Sequence, residues 1–567
     1  MTPREVSEPW VRGPRLVVAA GALALLMGCG GGRGQHVATE PGDPAEVTVG
    51  ERLFLETRFA QFASVQLQAD VNRPLPLRDP TMDETLTTGA PLPGPFKGAS
   101  MNCRACHLVD EHADDGGGNR TYDDFARRSP IPAREDGLVT TPRNSPPLVD
   151  ATVARPDFFL HFDGEFSTLP ELTRATLTGR NFGWLPTEAA AAVAWIARVV
   201  REDDGRDALA ADTGGRSFAT LLAGTDPSIP ETLRLPADLR LDVGFATDDA
   251  VVDGISRVIA AYVDSLRFAR DAAGDFIGSP FDKFLQKNHL PRQPDPGETD
   301  LAYSRRLRAA VAALDHPRFV SIADGEFTTH PQGFVFAGRE LAGLRIFLAE
   351  PATRPPSPAE VAAGGVGNCI ACHQAPAFTD HGVHNTGASE DEYDAIHGDG
   401  TFAALAVPDL ATRAASPEQF LPPSAAHPGG TAVFRDAPSA AHPGQTDLGV
   451  WNVFANPDVP NTQPALQDVL CRAAGAGADC SPAALLPSAI ALFKTPSLRD
   501  LDHSGPYLHS GREDTLGDVV DFYGRMSARA RAGAVRNADP ELGAILLTPA
   551  DRDALAAFLR ALDEDYE

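Results

Sequence analysis

The sequence predicts a mainly α fold with long loops, built as two related units, and three observations carry that prediction. Stretches with a 3.6-residue apolar period dominate, and alternating strand patterns are scarce. Two C-x-x-C-H motifs, at 103–107 and 369–373, sit in similar surroundings. Gly (51) and Pro (49) among 567 residues are enough to punctuate long connections while the apolar share, 43%, remains ordinary for a globular chain.

In chain order, residues 16–27 (LVVAAGALALLM) follow Arg4, Arg12 and Arg15; they are too short to span a bilayer but suit a secretory signal core. They run into Leu26-Met27-Gly28-Cys29, which looks like a bacterial lipobox with Cys29 as the lipidated residue, followed by a Gly-rich tether. GERLFLETR (50–58) precedes the first motif, and GLRIFLAEPATR (343–354) precedes the second. After the first motif, TPRNSPPLVDA (141–151) leads to FDGEFSTL (162–169); after the second, TPSLRDL (495–501) leads to HSGREDTL (509–516). This correspondence reads as an internal duplication. Helices are expected over 189–201, with Val193, Ile196 and Val200 on one face, and over 252–268. A last helix is expected to open with Thr548 as N-cap and Pro549 at its first position. The Pro-, Ala- and His-rich segment 404–449, with PSAAHPG twice, reads as a surface insertion in which His427 and His442 need no ligand. Residues 113–119 read as a solvated acidic loop.

The net charge of −28 (Lys+Arg 49, Asp+Glu 77) excludes nucleic-acid binding, which needs clustered cations, and leaves room for a cationic protein partner. The seven cysteines partition into Cys29, the two motif pairs, and Cys471 with Cys480, which an oxidising compartment would join. A C-x-x-C-H motif is the attachment signal of a c-type haem: two thiols meet the two vinyl groups, and the following His binds iron. Cys103, Cys106, Cys369 and Cys372 are therefore expected to hold two haems covalently, with His107 and His373 as proximal ligands.

Beyond the motifs, SPFDKFL (279–285), HQAPAFTDHGVHNTG (373–387) and FKTPSLRDLDHSGPYLHSGREDTLGDVVDFY (493–523) resemble the bacterial di-haem cytochrome c peroxidase/MauG family. The resemblance implies two cytochrome c-like haem domains: a peroxidatic one over 48–325 and an electron-transfer one over 326–567, after a signal (1–28) and a tether (29–47). It implies hydrogen peroxide as substrate, electrons from a small donor protein (cytochrome c or cupredoxin), and a periplasmic chain anchored to the outer membrane only through lipid at Cys29. It also implies His509 beside the second haem, and an interhaem calcium ion on carbonyls of the Ser504-Gly505-Pro506 loop.

For the sixth ligand of the second haem, the family position matches Tyr523, with Met526 the alternative on nearly the same helix face. A phenolate lowers the potential and a thioether raises it. The first haem is expected to be five-coordinate, with His112 the alternative ligand. Phe162 stands where the family commonly has an interhaem Trp, leaving Trp184, Trp195 or Trp451 to substitute. Leu172 and Phe182 stand where peroxidases carry Gln and Glu, so the distal acid/base is left to His161, Glu165, Glu171, Arg180 or Asn181. Two other readings stand beside peroxide chemistry: a non-catalytic electron-transfer protein, and a haem-dependent dioxygenase with a pocket lined by Phe158, Phe159, Leu172 and Phe182.

Overall fold

The computed structural model of the chain describes residues 43–84, 100–109, 123–124, 128–153, 155, 159–207, 209–327 and 330–564. The signal segment, Cys29, His112, the acidic loop 113–119 and Phe158 lie outside the described residues. The fold is mainly helical. The strands among the described residues are two-residue antiparallel pairs: β1 His107–Leu108 with β2 Asp123–Asp124, and β3 Val383–His384 with β4 Phe493–Lys494.

A first apolar core runs from Ala45 to Phe276. Helix Ala45–Phe54, which opens within the last residues of the expected tether, lies against helix Asp248–Ser265. Gly50 permits the close approach, because a Cβ there would sit 2.5 Å from the Val258 carbonyl oxygen. The Phe54 and Tyr262 rings meet beside it at 5.2 Å. Asp248–Ser265 starts earlier than the expected 252 because Thr247 caps it, accepting from the Ala250 N–H at 3.2 Å. It ends before the expected 268 because Leu266 turns extended, and its carbonyl accepts from the Asp150 N–H. Helix Ala189–Glu202 buries the expected Val193, Ile196 and Val200.

A second core begins at Phe281 and reaches Leu562, so the residues just before the expected 325/326 division pack with those after it. Helix Gly338–Leu348 crosses helix Pro549–Arg560, with Phe347, Phe378 and Phe558 interlocked between 5.1 and 6.0 Å. The last helix opens as expected: Thr548 exchanges hydrogen bonds with Asp551, and Pro549 occupies its first turn. The Thr-Leu openings also form helices, Leu169–Leu177 capped by Thr168 and Leu516–Arg531 capped by Thr515.

A third core gathers Phe159 with residues between Val383 and Ala491. Here the sequence reading needs correcting. Segment 404–449 is not simply a surface insertion, because Leu421, Phe434 and Leu448 are buried around Trp451, and Arg435 and Asp447 enter a buried charge network. His427 is satisfied by Asp458 at 2.7 Å. Cys471 and Cys480 form the expected disulfide, with Cα atoms 5.2 Å apart. Among the described residues, no helix is long and apolar enough to cross a membrane.

Candidate functional site

Both C-x-x-C-H motifs fold as a single 3-10 turn, Cys103–Ala105 and Cys369–Ala371. In the second, the His373 N–H donates to the Cys369 carbonyl at 2.7 Å, which brings the imidazole under the two thiols. His373 Nδ1 is held by the Phe378 carbonyl at 2.9 Å. As donor, Nδ1–H fixes the tautomer and leaves Nε2 as the metal-binding nitrogen. Burial pushes the His373 pKa down, which keeps the ring neutral as a ligand must be.

Burial and the neighbouring Cys372 push the Cys369 thiol up to about 12, and burial raises Cys372 as well. The first motif behaves alike, with Cys103 pushed up to about 12 and Cys106 raised by burial. A redox dithiol needs one thiol lowered. In these half-buried pairs neither thiol is lowered, so they do not fit a redox dithiol.

Cys369, Cys372 and His373 line a cavity of about 240 Å³. Its walls are predominantly apolar, with Leu516, Val520, Leu555 and Leu559 from the two C-terminal helices. Tyr523 lines the same cavity, its phenol pushed up by burial and by Cys372 and Cys369. Met526 lies elsewhere, buried against Phe522, Val535 and Leu542, with its methyl on Gly387. The helix register thus brings Tyr523, and not Met526, to the motif.

The polar edge of the cavity was largely missed in the sequence. Lys494, on β4, donates to the Phe159 carbonyl at 3.1 Å and is lowered to about 7 by burial and by Arg155. His381 is lowered to about 4 by burial, then by Arg155 and Lys494. Of these groups Lys494 lines the cavity, where an acidic substituent of a ligand would hold it protonated, while His381 stays neutral. His509 also lines the cavity; its ring stacks on Phe493 at 3.7 Å, and its Nε2 is buried without a partner. Behind Cys372, His384 is clamped between Asp380 (2.9 Å) and Asp539 (2.6 Å), which raise it despite burial. The Asp380 to His384 spacing inside HQAPAFTDHGVHNTG was the one visible signal for this clamp. The donor set, the apolar cavity and Lys494 at its edge together fit a haem with acidic side groups.

The first motif is anchored differently. Asn102 accepts from the Ala105 N–H and donates to the Leu55 carbonyl, tying the turn to the first helix. Cys103 and Cys106 pack on the first core, which also holds Phe182 and Leu172. Phe159 belongs to the third core, so the expected apolar pocket of Phe159 with Leu172 and Phe182 is not assembled.

Of the five distal candidates, the structure brings His161 and Glu165 together at 3.0 Å. Although burial raises it, Arg435 and His161 hold Glu165 well below the usual carboxylate range. Arg435 and Arg143 share the buried Asp163, and Arg143 also pairs with Asp447 at 2.5 Å. Glu171 accepts from Ser167 and Asn461; Arg180 pairs with Asp136; Asn181 is exposed. Phe162 reaches the cavity. Trp184 and Trp195 donate to the Phe59 and Arg58 carbonyls inside the first core, and Trp451 is buried in the third. The Pro506 carbonyl of the calcium expectation accepts from Asn144 Nδ2 at 2.9 Å.

No family model matches the chain. Cytochrome-c peroxidase IdrP2 of Denitromonas iodatirespirans is 27% identical over 198 residues, covering 35% of this chain and 36% of that one. IdrP1 of the same organism is 38% identical over 76 residues, 13% and 19% of the two chains. The chain thus spans about a third and about a fifth of these relatives' lengths. Two solved structures align at low similarity. A MauG-like protein associated with microbial copper homeostasis has a TM-score of 0.40 and 16% identity, covering 92% of this chain and 91% of that one. The diheme peroxidase BthA from Burkholderia thailandensis has a TM-score of 0.36 and 17% identity, covering 92% and 86%. In its paired C-x-x-C-H motifs and these partial sequence matches, the chain resembles the bacterial di-haem cytochrome c peroxidase/MauG family.

Proposed function

We propose that the chain is a di-haem c-type oxidoreductase that consumes hydrogen peroxide, with one haem on Cys103, Cys106 and His107 and the other on Cys369, Cys372 and His373. The observation that carries this reading is the cavity in which two protonated thiols and a neutral, oriented His373 share space with Tyr523. Bound to these residues, the haems would supply iron that changes oxidation state and exchanges electrons. The chain supplies the rest. The four motif thiols would hold the haems covalently; the Phe378 carbonyl orients His373, and Tyr523 stands in the same cavity as the candidate second ligand. Leu516, Val520, Leu555 and Leu559 exclude water, and Lys494 faces the acidic side groups. Arg435 keeps Glu165 ionised, and His161 contacts that carboxylate at 3.0 Å. An acidic surface of net charge −28 suits a cationic donor such as a small cytochrome c or cupredoxin. The chain works in the periplasm, anchored to the outer membrane through lipid at Cys29, with calcium on the 504–506 carbonyls.

The test is expression in a host with cytochrome c maturation. Two c-type haems per chain by pyridine hemochrome, a high-spin and a low-spin EPR signal, and peroxide-dependent oxidation of a reduced cytochrome are expected. Only low-spin signals and no response to peroxide would replace this reading with simple electron relay.

A further inference from the structure

We propose a metal site outside the cofactor cavity, in which His330, Asp500 and His503, closed by Asp502, hold one zinc ion. One ligand atom from each of the first three lies within 4.8 Å of the others. His330 comes from the segment before helix Gly338–Leu348, whereas the other three residues come from the turn after TPSLR. The two imidazole rings face each other at 4.1 Å and 27°. His330 Nε2 donates to the Glu564 carbonyl at 2.8 Å, which turns Nδ1 towards the carboxylates, where a metal ion would replace the proton that Asp500 and Asp502 favour on the ring. That Nδ1 is buried without a hydrogen-bond partner, and Asp500 Oδ1, also buried, has an ion-pair contact with His330 Nε2 at 3.2 Å; the two side chains are 0% and 4% exposed. Native proteins seldom leave a buried ring nitrogen unsatisfied, and it calls for a ligand or a reason. Asp502 Oδ2 stands 3.5 Å from Nδ1.

The donor set decides the ion. Calcium takes six to eight oxygens and does not choose imidazole, whereas two imidazoles and two carboxylates suit zinc. Tetrahedral bonds of about 2.1 Å place neighbouring donors about 3.4 Å apart, so Nδ1 and Asp502 are already at bonding separation and the wider pair closes by about 1 Å. The Glu564 carbonyl on His330 supplies the outer hydrogen bond that a zinc-bound histidine ordinarily makes. The ion would tie the 330 segment and the chain's last described residues to the turn whose Leu501 and Ser504 line the cofactor cavity. It would act as a structural brace, because four protein ligands leave no open position.

The experiment uses the full haem-loaded chain. After chelator treatment and gel filtration, zinc is added at one equivalent per chain in the presence of excess calcium, and retained metal is measured by plasma mass spectrometry. One retained zinc is expected, with zinc-edge X-ray absorption showing nitrogen and oxygen ligands and imidazole scattering. His503→Ala and His330→Gln, each checked for unchanged haem absorption per chain, should weaken zinc retention at least about 100-fold. Zinc that calcium displaces, absorption lacking imidazole scattering, or full retention by both variants would overturn the proposal. The absorption measurement on the unaltered chain decides the matter even if a variant fails to fold.

Discussion

His509 offers a direct reading of what its burial costs. Desolvation pushes it down to about 3 from an ordinary 6.5; Asp447 opposes the shift, and Arg143 and Arg128 add to it. In the folded chain the ring therefore stays neutral while the unfolded chain protonates below 6.5. The sign follows: stability is intact above 6.5 and falls with pH from there towards 3, because the unfolded state binds the extra proton. Each pH unit costs about 1.4 kcal/mol, so lowering pH from 6.5 to 4.5 should remove about 2.7 kcal/mol through this residue alone. Carboxylates held low, such as Glu165 and Asp447, add their own acid loss, so the residue is isolated by difference. Urea unfolding of the haem-loaded chain and of His509→Gln, at pH 7, 5.5 and 4.5, gives that difference. The variant should lose less stability than the native chain by roughly the stated amount. Parallel pH profiles would refute the reasoning, and with it the claim that this ring is held neutral by burial.

Cys369→Ala with Cys372→Ala should halve the pyridine hemochrome yield per chain, and Cys103→Ala with Cys106→Ala should do the same. Tyr523→Met should raise the potential of the second haem and change its low-spin EPR signature, whereas Met526→Leu should leave both unchanged and cost under about 1.5 kcal/mol as a volume-conserving core swap. Gly343→Ala should destabilise the chain by about 1–3 kcal/mol in thermal unfolding. Its Cβ would meet the Ala554 carbonyl oxygen and approach the Phe558 Cβ at 2.8 Å, forcing apart the two helices that frame the cavity.

Local chemistry was legible wherever neighbours in sequence are neighbours in space. The 3-10 turns of the C-x-x-C-H motifs, the Thr-Leu and Thr-Pro helix starts and the Cys471–Cys480 bridge all depend on short separations. Segment 404–449 escaped because Pro, Ala and His look solvated in composition, while Phe434 and Leu448, the residues that bury it, are single apolar positions without a period. Lys494 escaped for a related reason: it sits on a two-residue strand, and nothing in its local sequence marks the cavity or the Arg155 charge that lowers it.

The chain's own letters determined the two attachment turns, the proximal histidines they present and the helical character of the whole, since each follows from covalent spacing or from a periodic apolar face. Tertiary packing brought Tyr523, the residue already matched to the family position, and not Met526 to the second motif, and it alone decided that Glu165 belongs to Arg435 and that His330 joins Asp500 and His503. Those outcomes depend on how buried charge and cavity volume are shared between segments far apart in the chain, and no local pattern records that division.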